Sequence, residues 1–224
     1  MNKPPKYIIN GKSFNSQDAI RQHFQCVLQS CELGKEITGE LLADCLCLFE
    51  RHPEFDQKRG CGVASVKVVL NPVFGDRCFW IYRTDGTDTD ISYRTCVTSK
   101  KPSQRQAFMA ACRAAIADQV LAFKRSRFNQ HPLLKCNISG RLVSESDSHV
   151  DHFIPFINLV EHFVSTRRID IDTVQFHPKV DGSFVTEFAS ESLKKQWQEY
   201  HSLNATLRIT HKSENMAKGV RIPE

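Results

Sequence analysis

The chain has no long apolar run, and none of its segments approaches the length that a membrane-spanning helix requires. The opening sequence Met1-Asn-Lys-Pro-Pro-Lys lacks the apolar core of a signal peptide. Internal repeats and low-complexity tracts are also missing. With 224 residues, the chain is long enough for one large domain or two small ones. We therefore expect a cytoplasmic globular protein that does not enter a membrane.

The cysteines lack the spacing of a metal site. There are nine of them, an odd number, and they are scattered through predicted helices and strands. Cys45 and Cys47 are separated by one residue, which is not the spacing of a metal-binding pair. We expect the cysteines to be small buried hydrophobic residues in a reducing compartment.

Positive charge is concentrated in one stretch, although the net charge of the chain is only +5. Residues 100–127 contain seven basic residues and a single acid, Asp118. This distribution predicts a phosphate-facing surface, with an ordinary solvated helix face as the alternative. The candidate nucleic-acid contacts are Lys100, Lys101, Arg105 and Arg113.

The first hundred residues have the pattern of two helices followed by a sheet. Ser16 and Thr38 can cap amphipathic helices, and the second helix must end before Pro53. Asp85-Gly86 is a strong hairpin signal. Three antiparallel strands are predicted over residues 63–70, 77–83 and 90–97.

The remaining sequence predicts a connecting helix and a second module, so that the chain as a whole is α+β. Ser103 and Gln106 form a capping box, which starts a basic linking helix within residues 101–130. Residues 131–224 form the second module, with helices after Pro155 and after Ser190 or Ser192 and a last helix from about Ser213. Its strands are predicted over residues 142–143 and 148–153, with a further hairpin over 174–188.

Several motifs of the first module resemble the DCL family, which includes domains of the DUF3223 type. These are Lys58-x-Gly60-Cys-Gly62, Arg83-x-Asp85-Gly86 and Asp90-x-Ser92-Tyr93, and the resemblance covers residues 14–98. The family is known from plant plastid proteins and from the tails of plant RNA polymerase subunits. The resemblance implies a nucleic-acid-binding role for residues 1–100, with Lys58, Arg77 and Arg83 among its contacts. The alternative is that these side chains only stabilise the fold.

The second module carries residues suited to phosphodiester hydrolysis. Asp151 can bind a hard cation through oxygen, and the side-chain oxygen of Asn215 can complete that site. His152 can take a proton from water. A metal that offsets charge on the leaving oxygen and a base that creates the nucleophile are the two requirements of this reaction.

The same residues resemble HNH (ββα-metal) nucleases in their order along residues 131–219. The pattern is Asp151-His152, Tyr200-His201, Asn204 and Asn215-x-x-Lys218-Gly219. The resemblance implies that Asp151 and Asn215 bind the metal and that His152 is the general base. It further implies that Asn204 supports the histidine-bearing loop and that Lys218 contacts a phosphate. His149 is a candidate third ligand or supporting residue, and His201 a candidate supporting residue.

Two departures from the HNH pattern stand out. Many members bind a structural zinc through four cysteines, but the corresponding positions here are Cys136, Ser139, His211 and Glu214. These residues make a poor zinc set, so we expect no structural zinc. The gap between His152 and Asn204 is also long, which predicts an insertion in the ββα core and leaves the pairing of these two residues open.

We therefore expect an endonuclease that uses Mg²⁺ or another divalent cation to hydrolyse DNA, with RNA as the alternative substrate. Restriction and mobile-element biology would both suit such an enzyme. The rival hypothesis is a non-enzymatic RNA- or DNA-binding protein with a degenerate HNH scaffold. The sequence leaves open the target sequence and whether a homodimer cuts both strands.

Overall fold

The structure, a computed structural model, describes residues 6–178, 183 and 185–217. It divides into two compact units. The first comprises Met1–Ser103 with Pro178–Phe184, and the second comprises Gln104–His177 with Val185–Glu224. Both combine helices with small antiparallel sheets, which confirms the predicted α+β class. None of the described helices is long and apolar enough to cross a membrane.

The first unit begins with a hairpin that the sequence analysis did not predict. Its strands are β1 (Tyr7–Ile9) and β2 (Lys12–Phe14). The turn residues Asn10 and Gly11 both have positive φ, 46° and 75°, as a type I′ hairpin turn requires. Three helices follow: α1 (Gln17–Ser30), α2 (Gly39–Phe49) and the short α3 (Phe55–Arg59). Ser16 caps α1 as predicted, because its Oγ accepts a hydrogen bond from the backbone N–H of Ala19.

The sheet of the first unit contains β3 (Val63–Leu70), β4 (Arg77–Arg83) and β5 (Asp88–Ile91), in that order and antiparallel. Phe24, Phe49 and Phe79 are fully buried in the core that the helices and the sheet share. The strand predicted over residues 90–97 is wrong beyond Ile91. Ser92 caps a helix there, α4 (Tyr93–Thr98), by accepting from the N–H of Thr95. The buried residues Tyr93, Cys96 and Val97 have the spacing of a helix face.

Apart from a 3-10 helix at Ile171–Thr173, the described part of the second unit contains five α-helices and four strands. In chain order these are α5 (Gln104–Ala115), α6 (Ala117–Phe128), β6 (Leu133–Lys135), β7 (Leu142–Ser144), β8 (Ser148–His152), α7 (Phe156–Arg167), α8 (Glu191–Asn204), β9 (Leu207–His211) and α9 (Lys212–Ala217). Strand β6 pairs with β7 and β8 pairs with β9, both antiparallel. The hairpin predicted over 174–188 is closed by a bridge between Phe176 and Phe188. Its predicted turn, Asp181-Gly182, lies outside the described residues.

Where the sequence predicts one linking helix, the structure has two helices, α5 and α6, that belong to the second unit. Side chains of α8 stabilise the break between them. Trp197 Nε1 donates to the Cys112 carbonyl at 2.8 Å, and Gln198 Nε2 donates to the Ala115 carbonyl at 2.6 Å. A carbonyl at the end of a helix needs such an external partner. The buried face of α5 packs with α7 and α8 around Phe163 and Trp197.

A strand–strand–helix arrangement carries the predicted catalytic residues. All five residues of β8 pair with β9, and α9 follows β9 and contacts both strands. Helices α7 and α8 lie between β8 and β9 in the sequence, as the predicted insertion requires. The strand predicted near residue 148 and the helix predicted near Ser213 are both present.

Candidate active site

Asp151 and His152 end strand β8. Their cross-strand partners on β9 are Arg208 and Leu207, respectively. Successive residues of a strand point to opposite faces, so Asp151 shares a face with His149, and His152 shares the other face with Val150. The backbone N–H of Phe153 donates to the Thr206 carbonyl at 2.9 Å, which holds the chain in place directly after His152.

A chain of three hydrogen bonds links His152 to helices α8 and α6. Its Nε2 lies 2.9 Å from Nε2 of His201, on α8. Nδ1 of His201 lies 2.7 Å from Oε1 of Gln119, on α6, and Nε2 of Gln119 donates to the Gln198 carbonyl at 3.0 Å. We call Gln119, His201 and His152 the histidine relay.

The relay determines which ring nitrogen of His152 is basic. The amide N–H of Gln119 donates to the Gln198 carbonyl, so its oxygen faces His201 and accepts a hydrogen bond from Nδ1. His201 is 1% exposed, and burial lowers its pKa from 6.5 to about 4. His201 is therefore neutral at pH 7 with Nε2 as an acceptor, and His152 donates from its own Nε2. Consequently the basic nitrogen of neutral His152 is Nδ1.

Asp151 forms an ion pair with Arg208. Nε of Arg208 donates to Oδ2 of Asp151 at 2.8 Å, and the side chains are 14% and 11% exposed for Arg208 and Asp151. The guanidinium also lies over the Phe153 ring, 5.1 Å from its centroid. Arg208 therefore fixes the orientation of the carboxylate and neutralises its charge. The sequence analysis missed this residue.

Asn215 approaches the Asp151 face of the ribbon from α9. Its Nδ2 lies 3.4 Å from Nδ1 of His149, two residues before Asp151 on the same face. The predicted metal ligands Asp151 and Asn215 thus belong to elements that pack together, and His149, two residues before Asp151, lies beside Asn215. Within the described part of the chain, no three His, Cys, Asp or Glu side chains are grouped to hold a metal ion.

The types of donor present fit a hard cation. A carboxylate from Asp151 and a carboxamide oxygen from Asn215 are the ligands such a cation prefers. Mg²⁺ commonly binds through only one or two carboxylates and takes its other ligands from water and substrate phosphates. A site of this kind does not need three ionisable protein ligands.

Asn204 does not support the histidine-bearing segment as the resemblance implied. It is exposed at the C-terminal end of α8, and its Nδ2 donates to the Tyr200 carbonyl of the same helix at 2.8 Å. His201, three residues earlier, contacts His152 instead. The predicted phosphate contact Lys218 lies outside the described residues.

The four positions that correspond to the zinc ligands of HNH nucleases lie close together and are joined by hydrogen bonds. Glu214 Oε2 accepts from Cys136 Sγ at 2.7 Å and from Ser139 Oγ at 2.9 Å, and Arg141 Nε lies 2.9 Å from Oε1. The His211 N–H donates to Cys136 Sγ at 3.2 Å. The hydrogen bond from Cys136 is the main cause that holds the pKa of Glu214 below its ordinary value. This Glu214 cluster ties the β6–β7 turn to the start of α9.

Three of the four candidate nucleic-acid contacts within residues 100–127 have intramolecular partners. Lys101 pairs with Glu54 at 2.8 Å, and Arg105 forms an ion pair with Glu161. The Arg113 side chain is exposed, and its guanidinium lies 4.6 Å from the Phe156 ring centroid. Lys100 is exposed. Lys100 and Lys101 belong to the first unit and the two arginines to the second.

Basic residues of the first unit largely stabilise its fold. Arg77 Nε donates to the Leu28 carbonyl at the end of α1 at 2.7 Å. Arg83 is buried, and its Nε donates to the Lys58 carbonyl at 2.8 Å. Lys58 Nζ lies 3.1 Å from Asp90 Oδ1. These contacts favour the structural interpretation of all three cations.

Comparisons with known proteins identify part of the first unit. Residues 25–97 match the family described as Protein of unknown function (DUF3223). Two proteins of Arabidopsis thaliana match over 51 residues: Protein DCL homolog, chloroplastic, at 41% identity, and Protein EMBRYO DEFECTIVE 514, at 37%. The matches cover 22% and 23% of this chain, and only 23% and 25% of those proteins. The predicted DCL-like region is therefore confirmed.

One solved structure is also similar. It is a solution NMR structure of an uncharacterized protein from Rhodospirillum rubrum, with 29% sequence identity and a TM-score of 0.39. The match covers 43% of this chain and 91% of that protein.

Proposed function

We propose that the second unit is an endonuclease that uses a divalent cation, most simply Mg²⁺, to hydrolyse DNA phosphodiester bonds. The observation that carries the proposal is the hydrogen bond of 2.9 Å between the buried His201 and His152, the residue that follows Asp151 in β8. A general base needs a nitrogen that is unprotonated near neutral pH and held in one orientation. The histidine relay supports the proposal because it orients the His152 ring and keeps its proton on Nε2, which leaves Nδ1 to take a proton from water.

Each residue of the site has a distinct part in this reaction. His152 takes a proton from the attacking water at Nδ1, while His201 and Gln119 keep the proton of Nε2 in place. Asp151 and Asn215 would hold the cation, which when bound offsets charge on the scissile phosphate and the leaving oxygen. Arg208 orients the Asp151 carboxylate. The products would carry a 5′ phosphate and a 3′ hydroxyl.

The first unit would supply further nucleic-acid contacts. The proposal rests on its similarity to the DCL family, which is associated with RNA processing and transcription. Phosphate contacts by themselves read no sequence, so discrimination between targets would depend on surfaces away from the metal site. RNA remains the alternative substrate, and cleavage of both strands would require a homodimer or two successive nicks. A cytoplasmic restriction or mobile-element enzyme would have these properties.

The second candidate function is nucleic-acid binding without catalysis. The Asp151–Arg208 ion pair favours it, because the carboxylate that would bind the metal already has a cationic partner. In a degenerate nuclease this ion pair would take the place of the metal in neutralising Asp151. The two candidates therefore differ in whether Asp151 accepts a divalent cation while Arg208 is present.

Plasmid cleavage tests the proposal. The full chain is incubated with supercoiled DNA, and in parallel with a structured RNA, with Mg²⁺ or with a chelator. We expect nicked circles only with Mg²⁺, and ligatable nicks because the ends carry a 5′ phosphate and a 3′ hydroxyl. Tight binding without cleavage, under Mg²⁺ and Mn²⁺ alike, would favour the non-catalytic alternative.

A further inference from the structure

We infer that a cavity on the second unit binds a backbone phosphate of the nucleic-acid strand next to the phosphate under attack. The inference rests on the proposed nuclease function. The cavity has a volume of about 360 Å³ and lies between α6, β6 and β9. Arg127 of α6, Lys135 of β6 and Arg208 of β9 line it, and no acidic residue does.

The charges of Arg127 and Lys135 are not neutralised within the part of the chain that the structure describes. Both side chains are exposed, and neither forms an ion pair or a side-chain hydrogen bond there. Neighbouring cations behave differently: Lys124 donates to the Ser148 carbonyl, Arg141 pairs with Glu214, and Arg208 pairs with Asp151. Two unpaired cations on the wall of one concave surface make a site for an anion.

The cavity lies close to the proposed catalytic pair. Two of its lining residues, Leu207 and Arg208, are the cross-strand partners of His152 and Asp151. Neighbouring strands are about 4.8 Å apart. A nucleic-acid strand carries one phosphate for about every 3.4 Å of helix axis. Because the cavity reaches the strand that pairs with Asp151 and His152, we expect a nucleic-acid strand with one phosphate at this pair to bring a neighbouring phosphate to the cavity.

The remaining walls favour a phosphodiester chain over a free anion. Phe123, Leu134, Leu207 and Ile209 give the cavity apolar surface beside its cations. A sugar attached to the phosphate can lie against that surface, whereas inorganic phosphate leaves it uncovered. The Asn137 side chain accepts from the Ile209 N–H at 3.2 Å and so holds the loop after β6 against β9. The ligand that this chemistry fits is the sugar–phosphate backbone.

The test compares two charge-matched double variants of the full chain, each with His152→Ala added so that bound DNA is not cleaved. One is Arg127→Gln with Lys135→Gln. The other is Arg125→Gln with Lys195→Gln, which removes two exposed cations of the same unit that do not line the cavity. Arg125 is on the same helix as Arg127. Circular dichroism confirms that both variants are folded, and anisotropy of a labelled DNA duplex gives affinity over a range of salt concentrations.

We expect the cavity variant to bind at least about tenfold more weakly near 0.1 M salt and to lose about 0.9 from its salt slope, the value for one phosphate contact. The control variant should keep the affinity and slope of the His152→Ala parent. Equal losses in the two variants, or no loss in either, overturn the inference. Inorganic phosphate should compete poorly with a short oligonucleotide at equal phosphate concentration. Equal competition would make the cavity a small-anion site and would also overturn it.

The nuclease proposal and the cavity inference fail in different ways. If the parent chain with His152 intact never cleaves but the cavity variant loses DNA affinity, the cavity binds backbone and the nuclease proposal is wrong. If the parent cleaves and the cavity substitutions leave both binding and cleavage unchanged, the nuclease proposal stands and the cavity inference is wrong.

Discussion

Nε2 of His152 and Nε2 of His201 lie 2.9 Å apart, so a single proton lies between the two rings. Burial keeps His201 neutral, and Gln119 occupies its other nitrogen. The shared proton therefore belongs to His152, whose lone pair is at Nδ1. A histidine that folding has fixed in one tautomer differs from a solvated histidine, which exchanges between two.

Replacing Gln119 by Glu should shift the pH dependence of cleavage. A carboxylate at this position would favour protonation of His201, and a protonated His201 cannot accept from His152. We expect the acid limb of the pH–rate profile to move to higher pH and the rate near pH 7 to fall by about 10- to 100-fold. Gln130→Glu, at an exposed position, adds the same charge and should leave the profile unchanged. A uniform loss of rate at every pH would indicate a structural defect and would contradict the relay.

His201 should also make the stability of the second unit depend on pH. Its pKa is about 4 in the folded chain and 6.5 in the unfolded chain. As the pH falls from 6.5 to 4, the unfolded state takes up a proton that the folded state does not, so the free energy of unfolding falls. The loss from pH 7 to pH 4 amounts to about 3 kcal/mol.

His201→Gln should remove that contribution, because glutamine does not titrate but can still accept from His152. Urea titrations at several pH values measure it, as the difference between the parent and the variant. His131→Gln, at an exposed position, should behave like the parent. If parent and His201→Gln lose stability equally on acidification, His201 is not held neutral by burial.

The parts of the fold that the sequence predicted depend on local signals. Ser16 and Ser190 each cap a helix through the N–H three residues later, and both helices were expected from this signal and their apolar spacing. Residues 90–97 show the limit of such signals. The strand predicted there ends at Ile91, because Ser92 caps a helix that starts at Tyr93.

The contacts that complete the candidate site are not local. Asp151 and Arg208 are 57 residues apart, and His201 and Gln119 are 82 residues apart. Arg208 is opposite Asp151 only because β9 pairs with β8 in one register. The sequence does not reveal this register, because α7 and α8 lie between the two strands. Sequence reasoning therefore proposed Asp151 and His152, with Asn204 and His201 as candidate supporting residues, but it did not find Arg208 or Gln119.

Substitutions at the proposed metal ligands should raise the Mg²⁺ requirement. Asp151→Asn keeps an acceptor for Arg208 but removes the negative charge, and Asn215→Ala removes an oxygen donor. Each should raise the Mg²⁺ concentration for half-maximal cleavage by roughly tenfold or more, equivalent to about 1.4 kcal/mol of binding. Glu199→Ala, which removes an exposed carboxylate of α8, serves as the control. An unchanged Mg²⁺ requirement in both ligand variants would place the metal elsewhere.

The Glu214 cluster should hold α9 in place without zinc. We expect the purified chain to contain no stoichiometric zinc, and chelation to stop cleavage without changing the circular dichroism spectrum. Glu214→Ala removes the acceptor for Cys136, Ser139 and Arg141, so the urea midpoint should fall. The Mg²⁺ requirement should rise as well, because Asn215 is the next residue. One zinc ion per chain, or unfolding by chelator, would contradict this prediction.

The most direct test of the account is the rate at which His152→Ala nicks plasmid DNA under saturating Mg²⁺. Removing the base should slow nicking by about 10²- to 10⁴-fold while DNA binding and folding are retained, and added imidazole should restore part of the rate. His131→Ala, which removes an exposed histidine of the same unit, should nick like the parent. If His152→Ala nicks DNA as fast as the parent, His152 is not the base and the proposed mechanism is wrong.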